Sequence, residues 1–270
     1  MSAPPAIYVL LADAPRAEPN PVLVEAFALL EQRGARVERW FAHARCFDLD
    51  TAPDPEGLYL FKSRSAFWCE AAAWLHDRGA RLLDPWPARV QVRNKARVMA
   101  LLRAAGVAVP RTWLCHEPSR VRELLDEGAL VLKPNAGSAG ADVRFVRRSE
   151  ELPDRLDQPT IVQLLHDNTG EDLKVYVIGS RAFGLRKRFG SGSYREPGVP
   201  CALPPSVESQ ALRIGEVLGL TLFGVDFVEG PEGPVAVDVN WFPSYRAVPE
   251  APSLLCEHIW AHLKASSPVR

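Results

Sequence analysis

Hydrophobic positions along this chain switch between two periods. Residues 7–11 and 58–61 are short unbroken apolar runs, the pattern of a buried strand. Residues 21–32 carry apolar side chains at helical spacing and stop before Gly34, and 66–77 do the same before Gly79. Residues 37–41 and 80–83 read as further strands. Strands alternating with helices predict a βαβ unit with a mainly parallel sheet, assigned to residues 1–87.

Beyond residue 87 the pattern changes. Residues 94–105 form an amphipathic helix closed by Gly106 and Pro110, and 111–114 are extended. A short helix over 119–127, a strand at 130–132, a loop at 135–140 and strands at 142–146 and 160–165 complete a compact α+β domain over 88–165. The last segment, 166–270, opens with strands 173–178 and 182–189 joined at Gly179-Ser180-Arg181. A flexible Gly190-Ser191-Gly192-Ser193 loop, a helix at 207–218, two paired strands and a helix near 252–264 follow. The expected class is α/β with α+β subdomains.

The paired strands give the first chemical signal. Gly224-Val225-Asp226-Phe227 and Val235-Ala236-Val237-Asp238-Val239-Asn240 flank a turn at 229–234, and both are apolar apart from an acid or amide. A carboxylate inside an apolar strand is costly to bury without a positive partner. Asp226, Asp238 and Asn240 together make an oxygen-rich set that suits a hard cation such as Mg²⁺. On these residues alone, a hairpin with solvent-facing acids is the alternative.

Composition narrows the field. The chain has 270 residues, 47% hydrophobic and 24% charged, with net charge −1. That balance is ordinary for a soluble globular enzyme and argues against a nucleic-acid binder or a polybasic membrane surface. No apolar run is long enough to span a bilayer, and the first residues lack the basic start of a signal peptide. Five dispersed cysteines suggest reduced thiols rather than a disulfide frame or zinc site. The location expected is cytoplasmic; oligomeric state has no signature here. Only six of the 32 basic residues are lysine, so each retained lysine draws notice as a place where a compact ammonium is required.

Lys133 ends an apolar strand and precedes Pro134-Asn135-Ala136-Gly137-Ser138-Ala139-Gly140. A point charge beside small residues whose amides can approach closely suits a polyphosphate. The lysine precedes the glycines, so this is not a Walker A loop, and a plain hairpin turn is the alternative. Val162-Gln163-Leu164-Leu165-His166 leaves a strand where backbone groups can meet an adenine edge, and an acid a few residues later, in Gly170-Glu171-Asp172, can bind ribose hydroxyls; an ordinary strand ending in a polar turn is the alternative. His166 and His258 read as polar contacts, Phe67 and Trp74 as core, and Arg144, Arg147 and Arg148 as a solvated strand edge.

In this order the motifs resemble the ATP-grasp superfamily. The resemblance covers about residues 90–262, from Asn94-Lys95 through Lys133-Pro134 and its Gly-Ser loop, the Gln163 segment and Asp172-Leu173-Lys174-Val175-Tyr176-Val177-Ile178-Gly179, to Asp226, Asp238 and Asn240. It implies an ATP-grasp fold with an N-terminal βαβ pre-ATP-grasp domain. It also implies ATP between the middle and last domains. Lys95 and Lys133 would hold the phosphates under the loop containing Gly137, Ser138 and Gly140. Gln163, Leu164 and Leu165 would line adenine, mainly through backbone groups, and Asp172 would take the ribose. Asp226, Asp238 and Asn240 would hold one or two Mg²⁺ ions, with Mn²⁺ able to substitute. Arg186 or Arg188, with Lys174, would reach the transferred phosphoryl group.

Two branches of the superfamily are similar. RimK-like carboxylate–amine ligases share the Lys133 loop. The inositol 1,3,4-trisphosphate 5/6-kinase branch shares Lys174, Asp238 and the run Trp241-Phe242-Pro243-Ser244-Tyr245, and its phosphate-binding lysine matches Lys62 loosely. Residues 1–87 hold one lysine and no dense basic cluster, which a polyphosphorylated inositol would require. The expectation is a ligase working through an acyl phosphate on a small-molecule or peptide acceptor. An inositol-phosphate-kinase-like phosphotransferase is the alternative, and a non-catalytic nucleotide-binding protein a minor one.

Overall fold

The computed structural model describes residues 4–11, 20–136, 143–166, 170–188, 198–231 and 233–265. In chain order they form β1 (Ala6–Leu11), α1 (Pro21–Gln32), β2 (Arg36–Phe41), β3 (Leu58–Phe61), α2 (Ala66–Asp77), β4 (Arg81–Leu83) and α3 (Trp86–Val92). Next come α4 (Lys95–Ala104), β5 (Thr112–Cys115), α5 (Pro118–Leu124), β6 (Leu130–Pro134), β7 (Arg144–Val146) and β8 (Thr160–Leu164). The remainder is β9 (Glu171–Ile178), β10 (Arg181–Arg188), β11 (Val199–Cys201), α6 (Pro205–Leu218), β12 (Leu222–Gly230), β13 (Gly233–Trp241) and α7 (Ala251–Lys264). Among the described residues no helix is long and apolar enough to cross a membrane.

Two compact units divide the chain: Met1–Ala88 with Phe242–Arg270, and Arg89–Trp241. The first unit holds a parallel sheet of order β2-β1-β3-β4. Its central strands are covered on both faces, which is why Ile7 to Leu10 and Leu58 to Phe61 read as continuous apolar runs. Asn20 caps α1 by accepting from the Val22 amide, and Ser65 caps α2 by accepting from the Trp68 amide. Tyr8, Trp40, Tyr59 and Trp68 form an aromatic core on one face of the sheet. Trp74 packs against that core, whereas Phe67 is 38% exposed, a correction to its expected place.

Helix α7 packs on α1 in this unit. The Arg81 guanidinium donates to the carbonyls of His262 (2.5 Å) and Ala265 (2.7 Å), satisfying acceptors that the end of α7 leaves open. Residues 242–265, read from the sequence as part of the third segment, thus group with the N-terminal sheet. The link into α7 holds four non-glycine residues at positive φ: Phe242, Tyr245, Ala247 and Glu250. Such residues persist only where surrounding contacts over-determine them. Here Phe242 and Tyr245 are buried, Lys62 donates to the Phe242 carbonyl at 2.6 Å, and Asn20 donates to the Ser244 carbonyl at 2.9 Å.

The second unit is built on two antiparallel sheets, β5-β8-β6-β7 and β11-β10-β9-β12-β13. Strand β9 alternates: Leu173, Val175 and Val177 are buried, while Asp172, Lys174 and Tyr176 are partly open. The apolar set shares a face with Phe223, Val225 and Phe227 of β12, and α6 packs there. Each of these fully buried side chains contributes about 1.5–3 kcal/mol. The helix approaches so closely that a Cβ at Gly215 would lie 2.8 Å from the Phe223 ring, so only glycine fits. With one face sealed by α6, the polar residues of β9, β12 and β13 are left on the other.

Candidate functional site

Strand pairing decides which side chains meet. On the larger sheet, Lys174 of β9 stands opposite Asp226 of β12, and Asp226 stands opposite Asp238 of β13. Directly opposed residues of antiparallel strands point to the same face. One row across three strands therefore reads Lys174, Asp226, Asp238. Asn240, paired with Gly224, lies on the same face, and its amide donates to Asp238 Oδ2 at 3.4 Å. A bulge between Asp226 and Phe227 leaves Val237 without a direct partner. The Val237 carbonyl accepts from Lys133 Nζ at 3.3 Å.

The smaller sheet supplies the opposing wall. Phe145, Val131, Gln163 and Thr112 form one row across β7, β6, β8 and β5. Together with Lys133, Asp172, Asp226 and Val228, three of these four (Phe145, Val131 and Gln163) line a cavity of about 620 Å³. That volume and its mixed apolar and charged lining suit a nucleotide-sized ligand.

Lys95 and Lys133 come from different elements and are drawn together by Asn135. The Asn135 carbonyl accepts from the Lys95 amide (3.2 Å), and its side-chain oxygen accepts from the Ala96 amide (2.9 Å). This ties the start of α4 to the end of β6. Sequence reasoning passed over Asn135 because it stood inside a loop assigned to glycines. Lys95 Nζ then lies 2.6 Å from Asp238 Oδ1, and Lys174 Nζ 2.7 Å from Asp226 Oδ1.

Burial makes these charges sensitive to one another. Desolvation pushes the Lys133 pKa below its ordinary value, and the Lys95 charge adds to this. Asp238, Asp226 and Asp172 pull the other way without restoring it. Desolvation, then the charge of Asp226, raises the Asp172 carboxyl above the usual range, against Lys174 and Lys133. For Lys174, burial acts to discharge the ammonium, but Asp226, by charge and hydrogen bond, with Tyr176 and Asp172, outweighs it and the net shift is upward.

The other expected residues divide. Gln163 is buried, with its amide donating to Thr112 Oγ1 at 3.2 Å. The Leu164 and Leu165 amides donate to the carbonyls of Arg111 and Ala129, so an adenine contact cannot use those two N–H groups in this arrangement. Arg186 does not join the cluster. It pairs with Leu173 on the face away from Asp172 and Lys174, and binds Glu229 at 2.6 Å. Its neighbour Lys187 stands opposite Asp172 and so shares the cavity face. Gly137, Ser138 and Gly140 lie outside the described residues, as does the side chain of Arg188. His166, read from the sequence as a plain polar contact, lines the cavity and its ring meets the Gly233 carbonyl at 3.3 Å.

Among the described residues no three His, Cys, Asp or Glu side chains gather as a ready metal cage. The donors that do gather are two carboxylates and one amide. Mg²⁺ commonly binds through one or two carboxylates and completes its shell with water and substrate phosphate, so this set fits it.

The model of the RimK-like ATP-grasp domain matches residues 92–250. A probable alpha-L-glutamate ligase of Thioalkalivibrio sulfidiphilus is 30% identical over 178 residues, covering 60% of this chain and 59% of the relative. A probable alpha-L-glutamate ligase 2 of Shewanella frigidimarina is 28% identical over 176 residues, covering 59% of each. The matches thus span less than two thirds of these relatives' own length. Among solved structures, the ATP-grasp ligase PsnB complexed with a minimal precursor has a TM-score of 0.73 at 20% identity, covering 96% of this chain and 99% of that one. The D-cycloserine synthetase DcsG has a TM-score of 0.73 at 19% identity, covering 96% and 100%. At such identities these structures show a shared fold.

Proposed function

The chain belongs to the RimK-like ATP-grasp family, and on that premise we propose that it is a Mg-ATP-dependent carboxylate–amine ligase acting through an acyl phosphate. One observation carries the reading: Lys95, Lys133, Asp226 and Asp238 converge beside a single cavity from four separate elements. Lys133 and Lys95 hold the phosphates. Phe145, Val131 and Gln163, with Leu164 and Leu165, form the adenine wall, and Asp172 takes the ribose. Gly137, Ser138 and Gly140 belong to the loop that covers the phosphates. Lys187, rather than Arg186, reaches the transferred group from β10, beside Lys174.

Asp226, Asp238 and Asn240 hold one or two Mg²⁺ ions, and Mn²⁺ substitutes. When bound, the metal neutralises charge on the phosphoryl group and acts as a Lewis acid. The residues themselves work by positioning and by pre-set charge in a partly dry site. An acceptor carboxylate oxygen attacks the terminal phosphorus and ADP leaves. An amine then attacks the acyl carbon, phosphate departs, and the amine gives up a proton.

The relatives named alpha-L-glutamate ligase support an amino-acid amine as one partner. The precursor bound in the PsnB structure supports a peptide as the other. The free state of Cys46, Cys69, Cys115, Cys201 and Cys256 supports a cytoplasmic setting. The test is an ADP-release screen across amino acids, short peptides and inositol phosphates, with the product mass determined. Condensation with loss of water is expected. A product that gains a phosphate and loses no water would instead mean a kinase acting on a hydroxyl.

A further inference from the structure

The two carboxylates assigned above to the metal each meet a lysine. Across β9, β12 and β13 the row runs Lys174, Asp226, Asp238, and Lys95 reaches Asp238 from α4. The order of charge is plus, minus, minus, plus. Like charges directly opposed on neighbouring strands destabilise a sheet, so Asp226 and Asp238 need cations beside them. The four side chains are only 14–27% exposed, which leaves little water to screen them.

The wider cluster is already neutral. Lys95, Lys133 and Lys174 stand with Asp172, Asp226 and Asp238, three charges of each sign. Lys187, on the same face of β10, adds a positive charge at the margin. A divalent ion entering alone would displace two ammonium groups and leave Asp172 as the remaining carboxylate of this cluster among the described residues. It would also add two positive charges to a balanced set. A polyphosphate removes both penalties by supplying anionic oxygens to the displaced lysines.

Resting on the ATP-dependent reading, we propose that Lys95 and Lys174 are resident counter-cations that keep divalent metal off the Asp226–Asp238 pair until nucleotide arrives. Metal and nucleotide then bind as one coupled unit. Lys174 is the stronger gate, because the sheet register fixes it opposite Asp226.

The experiment titrates Mn²⁺ into nucleotide-free full-length protein and follows free Mn²⁺ by electron paramagnetic resonance. Lys174→Met is expected to tighten Mn²⁺ binding at least about fivefold over wild type, the lower edge of ordinary coupling between sites. Lys95→Met is expected to tighten it in the same sense, and it decides the matter if the Lys174 variant does not fold. Adding Asp226→Asn to Lys174→Met should remove the gain. Unchanged or weaker Mn²⁺ binding in both lysine variants overturns the proposal, as does a gain that survives Asp226→Asn. A fluorescent ATP analogue titrated into wild type tests the underlying reading separately. Failure to bind it would sink the ligase assignment, while the nucleotide-free Mn²⁺ titrations would still decide the counter-cation role.

Discussion

Arg186 and Lys187 are neighbours with opposite fates. Both are basic and both sit near the end of β10, yet one faces Glu229 and the other shares a face with Asp172. Period-two alternation was legible in the sequence, but nothing local says which parity faces the ligand. That choice belongs to the pairing Lys187↔Asp172, made by residues fifteen positions apart in the chain. The expected outcome follows directly. Lys187→Ala lowers kcat by about 10²–10³, the usual effect of losing one charge-stabilising contact. Arg186→Ala leaves kcat within about threefold and costs at most about 1 kcal/mol of stability, because its ion pair is partly exposed. Steady-state ADP release and urea unfolding of the two variants check this, and a reversed pattern would return the role to Arg186. Lys95 and Lys133 were visible as rare lysines. Asn135, which ties them together, was not, since its role is a bond to the start of a different helix.

At the level of elements, most helices and strands followed their local signals, because caps, glycine stops and apolar spacing act over a few residues; the short α3 and β11 were not anticipated. Helix α7 shows what local signals omit. Its spacing predicted a helix near 252–264, but not that it would lie on α1. On that helix His258 is half-buried, and its pKa falls from 6.5 to about 4, first through desolvation and then through His262, whose ring lies 4.4 Å away. Above pH 6.5 the group is neutral in both folded and unfolded chains and has no effect. Between pH 6.5 and 4 the unfolded chain takes a proton that the folded chain refuses, so stability falls with falling pH. The full loss is about 3 kcal/mol. Urea midpoints from pH 7 to 4 should show this slope in wild type and a flatter one in His258→Gln. Equal slopes would mean that other groups govern the acid limb.

For the molecule as a whole, the segment Phe242–Arg270 joins the N-terminal sheet, although it follows the last strand of the other unit. Removing everything after Trp241 takes away Phe242, Tyr245, Leu254, Leu255 and Ile259, all buried, each worth about 1.5–3 kcal/mol. The truncated chain should lose the packing of the first unit, seen as a red shift of tryptophan emission from Trp40 and Trp68 and as lost near-UV dichroism. An unshifted spectrum would mean that the sheet stands without α7. By itself the sequence determined the α/β class, most of the element order (α3 and β11 were not read from it), the ATP-grasp resemblance and the residue types available for phosphate and metal. Those rest on local propensity and on motifs whose members lie close together in the chain. Only the tertiary structure decided that Lys174, Asp226 and Asp238 share one row, that Arg186 turns away, and that the last helix belongs with the first sheet. Each of these depends on strand register or helix docking between distant segments, where one residue of slip sends a side chain to the opposite face.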